Sequence, residues 1–300
     1  MSMKTDKLTT KQKNQRQRKG KLISVGYLLP SVIGVLIFFV LPFFIVMYYS
    51  VVDNPISGQF VFFDNFAMVF GNNAFKTASK NTFVFSLTAV PLAVVLSLFL
   101  AMMLDSKIPF KSQFRTFFLS PMMVPIASVV LIWQVLFHYN GTVNEFLKLF
   151  GTEKIDWLNS SYAQVVLVVL FLWKNLGYNM ILFMAALSSI PKDIVEVAVL
   201  ESATPFQVFW HIKIRYMSST ILFVTIMSLI NSFKVFREVY LLTGDYPYDS
   251  LYLLQHFMNN MFKKLDYQKL SSAAVLMSLV MVVIIGVLFL TEKYFGKDVE

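Results

Sequence analysis

Apolar residues run through this chain in six long stretches separated by short polar segments: roughly Ile23–Val51, Thr82–Leu104, Phe117–Phe137, Tyr162–Leu187, Thr220–Val235 and Leu270–Leu290. Most approach the ~20 residues that a helix needs to cross a bilayer. A backbone in lipid must satisfy its own hydrogen bonds, which leaves helices or a closed barrel. No recurring alternation of about ten residues suggests barrel strands. The pattern predicts an all-α integral membrane protein: a basic tail over residues 1–22, a six-helix bundle over 23–295 and a short tail over 296–300. The fifth stretch is short and can be extended back through Met217.

Composition removes the soluble alternative. The chain is 57% hydrophobic and only 14% charged, against roughly 25% charged in soluble domains. The first stretch is too long for a signal-peptide core, and no Ala-x-Ala site follows it, so it is expected to stay as an anchor. With no cysteine, disulfides, Cys-bound zinc and thiol catalysis are excluded.

The net charge of +9 raises the question of nucleic acid. Eight basic residues, from Lys4 to Lys21, precede the first apolar stretch, opposed only by Asp6. No stacking aromatics accompany them, and a basic tail beside an apolar span fixes topology. With the N-terminus inside, 16 Lys and Arg fall on the inner side and 8 on the outer, Lys174 and Lys234 lying within spans. Without the tail the two sides tie. The bias predicts both termini in the cytoplasm.

Proline punctuates the spans at Pro30, Pro42, Pro91, Pro121 and Pro125. Two readings fit: kinks at packing contacts, or a hinge at Pro121 and Pro125. No clear internal repeat is visible and no acid is evident within the spans, which disfavours an ion-coupled transporter. His138, His211 and His256 are scattered, with no metal-ligand spacing, and no nucleophile–base pair emerges.

The most informative segment is the second inner loop, residues 190–217. Ser189, Pro191 and Asp193 write one helix start, and Thr204-Pro205 writes another. Phe206, Phe209, Trp210 and Lys213 then follow at i, i+3, i+4 and i+7. The loop reads as two short helices meeting near Ala203, either lying at the headgroups or docking a cytoplasmic partner. Within the spans, the polar candidates are Lys174, Asn175, Tyr178, Asn179, Asn231, Ser232 and Lys234. Asn175, Tyr178 and Asn179 share one helical face and offer amides and an aromatic ring to one cavity. The two lysines have a second reading as side chains that snorkel to an interface.

Glu196-Val-Ala-Val-Leu-Glu-Ser-Ala203, followed by Phe209 and Ile212, resembles the EAA loop of binding-protein-dependent ABC importers. That pattern is Glu-Ala-Ala, then three residues on Asp-Gly-Ala, then a Phe and Ile-x-Leu-Pro. Ser189-Ile-Pro191, Trp173-Lys-Asn-Leu-Gly177, Asn231-Ser-Phe-Lys-Val-Phe236, Leu242-Thr243-Gly244 with Pro247, Asn81-Thr82 and Arg115-Thr-Phe-Phe-Leu-Ser-Pro121 resemble the flanking signatures of the sugar-type permeases. The likeness spans about Tyr27 to Phe295. Val197, Glu201, Ser202 and Arg215 depart from the pattern, and Ser202 stands where the family has Gly. Outside the loop, Asp245-Tyr246 replaces a Gly-Pro-rich stretch, and Arg237 stands where the family often has an acid.

The resemblance implies a type I permease fold in a bacterial cell membrane. It implies a second homologous permease, two ATPase subunits that hold ATP and Mg, and an extracytoplasmic solute-binding protein that delivers a carbohydrate, with no role for nucleic acid. The chain itself would carry no cofactor and no catalysis. It has no Gly-x-x-x-x-Gly-Lys-Ser/Thr phosphate loop. The resemblance assigns Glu196, Ala198, Glu201, Ser202, Ala203, Phe209 and Ile212 to coupling with the ATPase, Glu196 as the charged contact. Glu201 lies roughly 140° round the helix from Glu196, at about 100° per residue, and belongs to the turn. Arg237, Lys263, Lys264 and Lys269 fit either an anionic saccharide or a contact with the binding protein.

Overall fold

The computed structural model describes residues 10–106 and 109–295, with side chains over 23–106 and 109–293. Lys107, Lys297, the segment 296–300 and the side chains of the basic tail lie outside the described residues. Among the described residues the chain is helical, with one isolated bridge between Val52 and Phe60.

Helix α1 (Thr10–Val35) runs from the tail into the membrane segment without a break at residue 22, and leads through a wide π turn, Leu36–Val40, into α2 (Leu41–Ser50). Pro42 has no N–H, and its ring crowds the carbonyl four residues back. The preceding turn widens, with the Leu41 N–H bonded to the Leu36 carbonyl. Almost nothing covers the rod Ile23–Ser50 except α15 along α2. Asn65 of α3 (Asp64–Gly71) is buried and donates to the carbonyls of Ser50 and Val52, at 3.1 and 2.8 Å, tying the end of the rod to the bundle.

The core is built on α4 (Asn73–Asp105). The Asn72 side chain caps its start, accepting from the N–H groups of Ala74 and Phe75. At 1.5 Å per residue it is about 50 Å long. Its buried stripe carries Ala89, Ala93, Ser97 and Ala101 at four-residue spacing. Small residues in that register let a neighbouring backbone come close, and α8 (Ala163–Ser189) makes its most extensive contact there. Phe85, Leu167 and Phe171 fill one half of this seam, and Met180, Phe183, Leu187 and Met217 the other.

The third apolar stretch is not one continuous helix. It divides into α5 (Lys111–Met123) and α6 (Ile126–Leu136), bent by 101°. The residue before a proline is pushed out of helical geometry, and Val124 is extended, with φ −86° and ψ 130°, ahead of Pro125. The break falls at Pro125, whereas Pro121 sits inside α5. Among the described residues, five helices are thus long and apolar enough to cross a membrane, and the bent pair makes a sixth segment.

The fifth stretch also differs from the expectation. Helix α12 (Ser218–Phe233) turns at Lys234 and Val235 into α13 (Phe236–Thr243), so the segment extends eight residues beyond Val235. Arg237, counted on the outer side in the charge bias, lies inside it together with Glu238. Short α7 (Thr142–Lys148) precedes α8; α14 (Leu254–Lys263) precedes the last span, α15 (Tyr267–Phe295).

The connection after α13 is pinned to α4. The Asn81 amide donates to the carbonyls of Asp249 and Tyr252, and Thr82 Oγ1 accepts from the Leu254 N–H at 2.8 Å. The Asn81-Thr82 pair is therefore a clamp on this connection. Lys263 bonds Asp245 at 2.5 Å and holds its carboxyl below the usual range. His256 is fully buried against Phe236, and burial pushes its imidazole down to about 4.

Candidate functional site: a charged cavity and a capped loop

Five α8 residues, Leu170, Phe171, Lys174, Asn175 and Tyr178, fall on one face and line a cavity of about 520 Å³. Asn231 and Lys234 at the end of α12, and Arg237 and Glu238 at the start of α13, form its other wall. A smaller cavity of about 350 Å³ adjoins it, sharing Met122, Lys174 and Arg237 and running along the break at Pro125.

Lys174 and Glu238 form an ion pair, with Lys174 Nζ donating to Glu238 Oε1. Glu238 is only 5% exposed, and its Oε2 has no hydrogen-bond partner among the described residues. This corrects two sequence expectations: an acid does lie within a span-forming segment, and Lys174 is paired rather than snorkelling. Glu238 was missed because the apolar run was ended at Val235. The signal was available, since Val239 and Leu242 continue the helical period beyond it.

The remaining polar candidates divide between two places. Asn231 Nδ2 donates to Asn175 Oδ1 at 3.0 Å, and Asn175 Nδ2 donates to the Phe171 carbonyl at 2.8 Å. Tyr178 stands half-buried on the same wall. Asn179 and Ser232 do not line this cavity. Asn179 donates to Ser228 Oγ at 2.9 Å between α8 and α12, and Ser232 meets Ser86 Oγ at 2.9 Å between α12 and α4. Both are buried polar contacts that join helices.

Gly177, one turn from the cavity, shows why the Trp173-to-Gly177 run ends in glycine. A Cβ there would lie 1.9 Å from the Phe118 carbonyl oxygen of α5. Only a residue without a side chain lets α5 and α8 touch backbone to backbone, which places Met122 and the Pro125 break at the cavity.

The inner loop is defined by its caps. Helix α9 (Lys192–Leu200) ends with Ala203 N–H bonded to the Ala198 carbonyl and Ser202 N–H to that of Val199. This is a Schellman closure, in which the penultimate residue adopts left-handed geometry, and Ser202 has φ +63°. The turn needs positive φ here, and serine adopts it at a cost of about 1 kcal/mol. Thr204 and Gln207 form a capping box that starts α10 (Pro205–Val208), which continues through a π turn, Phe209–Lys213, into α11 (Ile214–Tyr216). The π turn breaks the regular spacing expected from Phe206 to Lys213.

The loop has two faces. Val195, Val208, Ile212 and Ile214 turn inward, three of them packing with the core around Leu187 and Met217. Val197, Leu200, Phe206 and Trp210 are exposed, Leu200 at 84%. Glu196 is exposed beside them, Ala198, Ala203 and Phe209 are half-buried, and Glu201 sits at the helix end. Ile212 thus anchors the loop to the bundle, whereas Glu196 lies on its outward side.

Among the described residues, five long apolar helices and one bent helix pair, with a doubly capped loop and a polar cavity between helices, have the architecture of a multi-span membrane protein. Residues 93–300 match the family described as the binding-protein-dependent transport system inner membrane component, and the chain belongs to that family. It is 28% identical to the sn-glycerol-3-phosphate transport system permease protein UgpA of Pectobacterium atrosepticum, over 91% of this chain and 93% of that one. It is 27% identical to the trehalose/maltose transport system permease protein MalF of Thermococcus litoralis, over 97% and 99%. In three dimensions it resembles a bacterial ABC transporter that imports the acidic polysaccharide alginate, with TM-score 0.79 and 20% identity over 96% and 99% of the two chains. That likeness shows the shared fold.

Proposed function

We propose that this chain is the membrane-spanning permease of an ATP-driven importer that takes up a carbohydrate delivered by a solute-binding protein. The observation that carries the reading is the loop: one face is anchored in the bundle core and the other presents Glu196 amid exposed apolar side chains. Such a surface suits a cleft in an ATPase subunit. The family relatives named for maltose, trehalose and glycerol phosphate support the substrate class. A second permease, two ATPase subunits carrying ATP and Mg, and the binding protein complete the assembly.

Closure of the ATPases would move the loop as a rigid lever, because its caps and inward residues fix it to α8 and α12. Movement between the two orientations of the bundle is driven by the difference in ATP affinity between them. Asn175, Tyr178 and Asn231 meet the sugar in the cavity, and Asn179 and Ser232 transmit motion between helices.

Glu196→Ala tests the coupling contact. ATP-driven uptake by the reconstituted complex is expected to fall steeply, with weaker retention of the ATPase, while sugar binding to the separate binding protein is unchanged. Wild-type assembly and uptake would make Glu196 a solvated carboxylate. The bias of basic residues supports both termini in the cytoplasm, and with no native cysteine this can be tested by single-cysteine labelling. Intact cells should label Glu145→Cys and not Lys192→Cys; the reverse pattern would invert the topology.

A further inference from the structure

The cavity wall holds three cations, Lys174, Lys234 and Arg237, against one carboxylate, Glu238. Lys174 is taken up by Glu238. Lys234 and Arg237 have no ion-pair partner among the described residues. They stand three residues apart across the α12–α13 turn, exposed on one side of the cavity. A site that alternates between two openings must pass through a state closed to both. The two cations then lose solvent, and a buried cation without a counter-charge is costly. A neutral sugar supplies hydroxyls but no charge. The same wall carries the unpartnered, buried Glu238 Oε2, an acceptor suited to a hydroxyl, and the Tyr178 ring, suited to a sugar face.

From this arrangement, which rests on the importer reading above, we infer that the substrate is an anionic saccharide, its carboxylate or phosphate held by Lys234 and Arg237. Glu238 Oε2 and the Asn175–Asn231 pair take its hydroxyls. The paired Lys174 holds Glu238 in place through its Oε1, leaving Oε2 facing the cavity side of the pair. The two free cations then fix selection for charge, because they gain an ion pair only when the acidic sugar is present.

The test uses the complete transporter with its cognate permease partner, ATPases and binding protein in proteoliposomes. ATP-driven uptake of labelled trigalacturonate, glucose 6-phosphate and maltotriose is compared between the wild type and Lys234→Gln/Arg237→Gln. One anionic probe is expected to be taken up, carboxylate or phosphate according to which of the two it is. The double variant should lose that uptake by about tenfold or more, the scale of one or two charge-assisted hydrogen bonds. The charge-preserving Lys234→Arg/Arg237→Lys should retain most of it. Uptake of maltotriose alone, or of an anionic probe handled equally by the double variant, overturns the charge assignment and leaves the carbohydrate importer intact. Loss of the partner permease from the purified double variant would also overturn it, placing both cations at a subunit interface. A cognate binding protein that delivers none of the probes and holds a ligand of another class overturns both readings.

Discussion

The α4–α8 seam and the inner loop are built on opposite terms. Along the seam, Ala89, Ala93, Ser97 and Ala101 bring backbones together, while Ser86 and Asn179 bond serines of α12 and Ser97 bonds a carbonyl of its own helix. In the loop, large apolar side chains such as Leu200, Phe206 and Trp210 are left uncovered, and Glu196 has no hydrogen bond or ion pair among the described residues. The seam is complete within one chain; the loop is complete only against something else. Mutations in the seam should therefore register in stability of the chain itself, and mutations on the outward loop face in coupling alone. Between them sits the cavity, where satisfied amides adjoin unpaired cations.

The sharpest way to break the seam is Gly177→Ala. The new methyl would meet the Phe118 carbonyl, a backbone atom that cannot swing aside. Overpacking of this kind costs about 3 kcal/mol, and the variant should show a strongly reduced yield of monodisperse protein and a lower Tm. An unchanged Tm would mean that α5 and α8 do not touch there.

Next in size is the ion pair at the cavity. Lys174→Met leaves Glu238 buried with neither oxygen paired. Because Lys174 is itself 41% exposed, the loss is set at about 1–3 kcal/mol, below the range for fully buried pairs. Adding Glu238→Gln should restore part of the stability, since the uncompensated charge goes with it. A double-mutant cycle that returns no coupling between the two positions would show the pair to be incidental.

The smallest effect sharpens the loop side of the comparison. Ser202→Gly removes the left-handed cost and is expected to stabilise the α9 terminus by about 0.5–1 kcal/mol. Hydrogen exchange at the Ser202 and Ala203 amides, which close the turn, should slow correspondingly while exchange along α4 does not change. Faster exchange in the glycine variant would show that the serine side chain contributes something the turn geometry does not.

Much of this arrangement was legible in the residues. The six apolar stretches, the capped helix start at Thr204-Pro205 and the loop between α8 and α12 follow from hydropathy and capping chemistry, which act over a few residues and are written locally; Ser189, by contrast, does not cap α9 but ends α8 and donates to the Ala186 carbonyl. The flanking signatures placed the chain in its family. What the sequence left open depended on contacts between distant segments. Pro121 and Pro125 look alike in the chain, yet the 101° break falls at Pro125, where Val124 leaves the helix. Asn175 and Asn179 share a helical face, but only the first lines the cavity, because Ser228 of α12 takes the second. The end of the fifth stretch was hidden by Arg237 and Glu238, whose charges look like a loop until Lys174, 64 residues earlier in the chain, is brought against Glu238. A charge becomes compatible with a buried helix only through its partner, and that partner is chosen by the packing of α8 against α13, which no local pattern encodes.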